Sequence, residues 1–99
     1  MRLTQKQITQ IKKMTAEVFG DEVQVYLFGS RLDDQKKGGD IDLYIKTSNP
    51  VEDLAQSIMV IEAKLILALG DQKFDILLDA PNVQKSTIHD VAQQTGVLL

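Results

Sequence analysis

The chain contains no cysteine. That absence excludes disulfides and thiolate metal centres, and it permits an intracellular home. No apolar run approaches the roughly 18 residues of a membrane span, and the N-terminus has no signal-peptide core. The expectation is therefore a cytoplasmic protein with no membrane association. Positive charge is also in short supply. Eleven Lys and Arg stand against fourteen Asp and Glu, for a net charge of −3, which argues against an electrostatic grip on a nucleic-acid backbone. The one histidine, His89, has no triad partner near it in sequence and reads as a helix-surface residue rather than a general base. There is no internal repeat, low-complexity tract or linker. With 43% hydrophobic and 25% charged residues, residues 1–99 read as one ordinary globular domain with one core and no room for a separate substrate lobe.

What is present centres on two short stretches. Val25 to Phe28 is an apolar run that ends in Gly29-Ser30-Arg31, and Gly38-Gly39 leads into Asp40-Ile41-Asp42-Leu43-Tyr44-Ile45. On a β-strand, Asp40 and Asp42 fall on one face while Ile41, Leu43 and Ile45 fall on the other. The two acids lie roughly 7 Å apart along the strand, twice the rise per residue. Carboxylates so placed suit one hard cation or a pair of metal ions. Without a cation, unit charges ~4 Å apart at an effective dielectric near 20 repel by about 4 kcal/mol. The glycine allows a sharp turn and close backbone approach, and a helix starting at Ser30 would present free N–H groups and its positive dipole end to a phosphate. Arg31 suits either a phosphate contact or a surface pairing with Asp33 or Asp34. Each half alone is a weak signal; together at two strand boundaries they point to a metal-bound nucleoside triphosphate.

The remaining chain supplies a frame for these stretches. Leu3, Ile8, Ile11, Met14, Thr15 and Val18 fall near helical spacing, so Thr4 to Phe19 reads as an amphipathic helix with Thr4 as N-cap and Gly20 as its stop. Lys6, Lys12 and Lys13 form its solvated face. Glu22–Phe28 and Asp40–Lys46 read as strands, and Leu32–Lys37 as a charged loop. Pro50 is placed near the first position of a helix over Val51–Leu69, with Leu54, Ile58, Ile61, Leu65 and Leu69 as its buried stripe. Met59, Val60, Ile66 and Leu67 widen that band beyond one core face, which predicts a helix clasped on two sides; the other reading is contact with a second chain. Lys73–Asp79 reads as a third strand, with Asp75 inside an apolar run and Asp79 at its exit. Beside the second strand, Asp75 would join Asp40 and Asp42. A lone buried Asp needs a partner or a ligand, which favours Asp75 as a ligand and leaves Asp79 as a strand-end acid. A last helix, from Asn82 or Ser86 to Thr95, turns Val83, Ile88, Val91 and Ala92 inward, and Val97-Leu98-Leu99 forms an edge strand or docks on a partner. Helices mixed with three or four short strands make this an α/β (α+β) chain.

Phe28-Gly29-Ser30, nine intervening residues, and Asp40-Ile41-Asp42-Leu43 together resemble the signature of the DNA polymerase beta-like nucleotidyltransferase superfamily. More narrowly, the chain resembles its short minimal nucleotidyltransferase branch, including MNT-type antitoxins of HEPN/MNT systems. The resemblance implies a small mixed sheet of three or four strands flanked by helices. It implies that Gly29 and Ser30, with Arg31, bind the triphosphate of ATP, and that Asp40, Asp42 and Asp75 hold Mg2+ and carry catalysis. The implied reaction is transfer of AMP from ATP to a hydroxyl on a HEPN-type toxin partner. Two alternatives stand beside it: an antitoxin that neutralises its HEPN partner by binding alone, and one subunit of a two-chain antibiotic or small-molecule nucleotidyltransferase. A homo- or hetero-oligomer is compatible with each. Relatives tend to carry small and basic residues after the Gly-Ser-Arg turn, where this chain has Leu32-Asp33-Asp34.

Overall fold

The first helix, α1, spans Gln5–Phe19. It begins with a reciprocal cap: the Thr4 hydroxyl accepts from the Gln7 backbone N–H at 3.1 Å, and the Gln7 side-chain oxygen accepts from the Thr4 N–H at 2.9 Å. Two donors that the helix end leaves free are thereby satisfied. The helix stops at Gly20, as its sequence predicts. Strand β1 (Gln24–Phe28) pairs antiparallel with β2 (Ile41–Lys46), placing Phe28 opposite Asp42. Helix α2 (Leu54–Leu69) crosses to β3 (Phe74–Asp79), which lies parallel to β2 with Asp42 opposite Asp75. A parallel neighbour needs such a crossover. Helix α3 (Thr87–Thr95) follows, and β4 (Val97–Leu98) closes on the far edge of β1. The sheet order is β3-β2-β1-β4, a mixed four-stranded sheet with three helices, so the domain is α+β.

This computed structural model describes residues 3–29, 40–70 and 72–99. Ser30, Arg31, the charged loop 32–37 and the Gly38-Gly39 pair fall outside them, and with them the helix start expected at Ser30 and both readings of Arg31. Among the described residues, no helix is long and apolar enough to cross a membrane.

The two faces of the sheet differ in chemistry because strand side chains alternate. Val25, Leu27, Ile41, Leu43, Ile45, Phe74 and Leu78 meet Ile11 of α1 and Ile61 and Leu65 of α2 in one apolar core. The other face carries Tyr26, Phe28, Asp42, Tyr44, Asp75 and Asp79, and α3 packs on part of it through His89 and Ala92, both buried.

The structure departs from the sequence pattern at three places. Helix α2 begins at Leu54 rather than near Pro50, because Asp53 caps it, accepting from the Gln56 N–H at 3.0 Å. Val51 is held in the preceding loop by Asn82, which accepts from its N–H at 3.0 Å and donates to its carbonyl at 2.7 Å. Helix α3 turns His89 and Ala92 inward and leaves Ile88 and Val91 exposed, since the sheet face beneath it is polar and aromatic. On α2, Met59 and Leu67 are 70% and 87% exposed; the helix is clasped on one side only.

Candidate metal and phosphate site

The open end of the second sheet face is built from three neighbouring strands. Register places Phe28, Asp42 and Asp75 side by side across β1, β2 and β3. Asp42 is half-buried and its carboxyl is within hydrogen-bonding reach of Asp75. Burial, then the hydrogen bond and charge of Asp75, and then the charge of Asp40 push the Asp42 carboxyl up to about 6. Burial strips the water that would solvate the charged form, and the neighbouring carboxylates disfavour a further negative charge. Asp75 is exposed, contrary to the expectation of a buried acid, because α3 stops short of this end of the face. Asp40 precedes β2 and stands 3.7 Å from the Lys73 ammonium. The structure thus brings Asp42 and Asp75 together and sets Asp40 at their flank.

Gly29 completes the described part of the site. It has φ +80°, a left-handed conformation that side-chain-bearing residues rarely adopt. A Cβ added there would fall 2.0 Å from Asp42 Oδ2. The chain therefore turns out of β1 directly against the Asp42 carboxyl, a closeness that only glycine permits.

Among the described residues, no group of three or more His, Cys, Asp or Glu side chains forms a ready-made metal cage. The donor chemistry nevertheless fits a divalent cation. Asp42 and Asp75 offer hard oxygens, their mutual repulsion raises the cost of ionising Asp42, and a bound ion relieves both. Mg2+ commonly takes only one or two protein carboxylates and fills its octahedron with water and phosphate oxygens, so a pair of acids at an open surface suits it better than a closed cage.

The same face holds a second polar cluster that sequence reasoning missed. Asp79, expected as a strand-end acid, is only 6% exposed. Its carboxylate accepts from the fully buried Tyr44 hydroxyl and pairs with Lys85 at 2.7 Å. Burial works against the charged form, but the Lys85 and Tyr44 hydrogen bonds and the nearby positive charge outweigh it and hold Asp79 below the usual carboxylate range. Burial and the same hydrogen bond push the Tyr44 phenol above its ordinary range. His89, expected on the helix surface, is 7% exposed. Its Nδ1 accepts from the Ser86 N–H at 3.1 Å, leaving Nε2 to donate to the Leu78 carbonyl at 3.2 Å. The sequence signal was the alternation itself: Tyr44 lies two residues past Asp42 and Asp79 four past Asp75, which puts all four on one face.

Compared with known proteins, the sequence matches no family model and no curated protein.

Proposed function

We propose that this domain is a metal-dependent nucleotidyltransferase of the polymerase beta-like kind, moving AMP from ATP to a hydroxyl on a HEPN-type protein partner and acting as an antitoxin in the cytoplasm. The observation that carries the reading is the Asp42–Asp75 pair seated on adjacent parallel strands beneath the backbone of Gly29. Such a pair, with Asp40 at its flank, would suit a divalent cation that neutralises phosphate charge.

In this reading Asp42 and Asp75 would hold Mg2+, with Asp40 as a third acid at their flank beside Lys73. Bound Mg2+ supplies charge neutralisation at the triphosphate and lowers the pKa of the attacking hydroxyl. Gly29 keeps side-chain bulk away, so backbone can approach phosphate closely. Ser30 and Arg31 contribute the phosphate contacts that the family resemblance implies. The acceptor oxygen forms a bond to the α-phosphorus, the bond from that phosphorus to the bridging oxygen breaks, and its electron pair leaves with pyrophosphate. The hydroxyl proton passes to solvent. Catalysis then rests on positioning and electrostatics.

The test is incubation with ATP labelled at the α-phosphate, Mg2+ and a HEPN-type partner. Label on the partner, absent without metal and lost in Asp42→Asn, is the expected result. Inhibition of the partner with no label transferred would replace transfer by simple occlusion.

A further inference from the structure

Helix α2 carries an outward face that the domain itself does not use. A helix on the surface of a lone domain normally turns charged residues to solvent. Here Ile61 and Leu65 face the core, and the opposite half presents Gln56, Met59, Val60, Ala63, Ile66 and Leu67, all exposed and none charged. Gln56, Val60, Ala63 and Leu67 follow the 4-3-4 spacing of a helix–helix seam, and Ala63 at its centre allows close approach.

The charges at the rims select the occupant. On a wheel advancing about 100° per residue, Glu62 and Lys64 flank Ala63 on opposite rims. Lys64 is held at its rim by Glu17 at 3.4 Å. When two copies pack α2 on α2 about a two-fold axis running along the helices, Glu62 of each copy comes beside Lys64 of the other. A two-fold axis across the helices would instead set Glu62 against Glu62. The stripe is thus complementary to itself in the parallel arrangement, with Glu62 of each copy joining the Glu17–Lys64 pair of the other. It also lies on the core side of the sheet, opposite Asp42 and Asp75. A partner confined to α2 faces away from those acids, whereas a second copy seated there leaves both acid faces open.

We infer that the chain forms a homodimer through α2, parallel and two-fold symmetric. This holds whether or not the domain transfers nucleotides. Light scattering coupled to gel filtration should give twice the 11.0 kDa chain mass, with a mass that falls on dilution. Leu67 is 87% exposed, so Leu67→Glu should keep the far-ultraviolet circular dichroism and elute at a single chain mass. Glu62→Lys should weaken the dimer, and Glu62→Lys with Lys64→Glu should restore it. Because the chain has no cysteine, Met59→Cys is a clean orientation probe: under mild oxidation it should cross-link to itself. A single chain mass at every concentration overturns the proposal, and so does a dimer that survives Leu67→Glu. Cross-linking between Met59→Cys and Leu67→Cys chains, with none between two Met59→Cys chains, overturns the parallel arrangement.

Discussion

The backbone of Gly29 lies so close to the Asp42 side chain that a methyl group at position 29 would fall 2.0 Å from Oδ2. Gly29→Ala therefore meets two penalties. The left-handed φ of +80° costs an alanine about 1–2 kcal/mol, and the Asp42 carboxylate must swing away from its place beside Asp75. Urea denaturation should show a loss of about that size. Thermal-shift titration with Mg2+ should show weakened stabilisation, whereas Gly20→Ala, which has open space around it, should leave the Mg2+ response intact.

The Asp42 carboxyl titrates at about 6 in the folded chain against 3.8 in its ordinary state. A raised folded value means that the group's favourable contribution is complete below about pH 4 and is lost as pH rises through 6. Metal-free Asp42→Asn should therefore match the parent near pH 4 and become progressively more stable than it between pH 4 and 6, with a constant difference above. Denaturant midpoints across that range check this. Mg2+ at a hundredfold excess over Kd should narrow that difference at pH 7, because binding to the folded state alone adds about 2.7 kcal/mol.

Tyr44→Phe removes the hydroxyl that donates to buried Asp79. Lys85 still pairs with the carboxylate, so the expected loss is about 1–3 kcal/mol, the range for depriving a buried group of one partner. Asp79→Asn should cost at least as much, since it strips the charge facing Lys85. The two losses should fall short of additive in the double variant, because both act on one bond.

His89 closes the start of α3 by accepting from the Ser86 N–H. His89→Ala should lose at least the ~0.5–2 kcal/mol of stability typical of a removed cap, because the Leu78 carbonyl also loses its donor. Glutamine at this position is the usual partner in a capping box, so His89→Gln should recover part of the loss. Amide exchange along Thr87–Thr95 reads this directly, with faster exchange in His89→Ala than in His89→Gln.

Much of the frame was legible in the sequence. Thr4 and Gly20 bound α1 because cap chemistry is local, and the strands were placed by their β-branched runs. The Asp42–Asp75 juxtaposition followed once Phe74–Asp79 was set beside Ile41–Lys46. The start of α2 was misplaced because Pro50 suits a first helical turn as well as a loop, and Asn82, thirty-one residues from Val51, decides between them. The roles of Asp79 and His89 were hidden for a related reason. Hydrophobic periodicity turns Ile88 and Val91 inward, yet the sheet face that receives α3 offers Tyr44, Asp79 and the Leu78 carbonyl, which need polar partners. Only the assembled topology shows what a helix must meet.

In the proposed function, the Asp42–Asp75 end of the sheet seats a metal-bound nucleoside triphosphate. The most direct measurement is an amide chemical-shift map of the chain titrated with a non-hydrolysable ATP analogue and Mg2+. Saturable shifts centred on Phe28, Gly29, Asp42 and Asp75, abolished by chelation and absent in Asp42→Asn, are the expected result. No saturable shift, or the same shifts without metal and in Asp42→Asn, would contradict it.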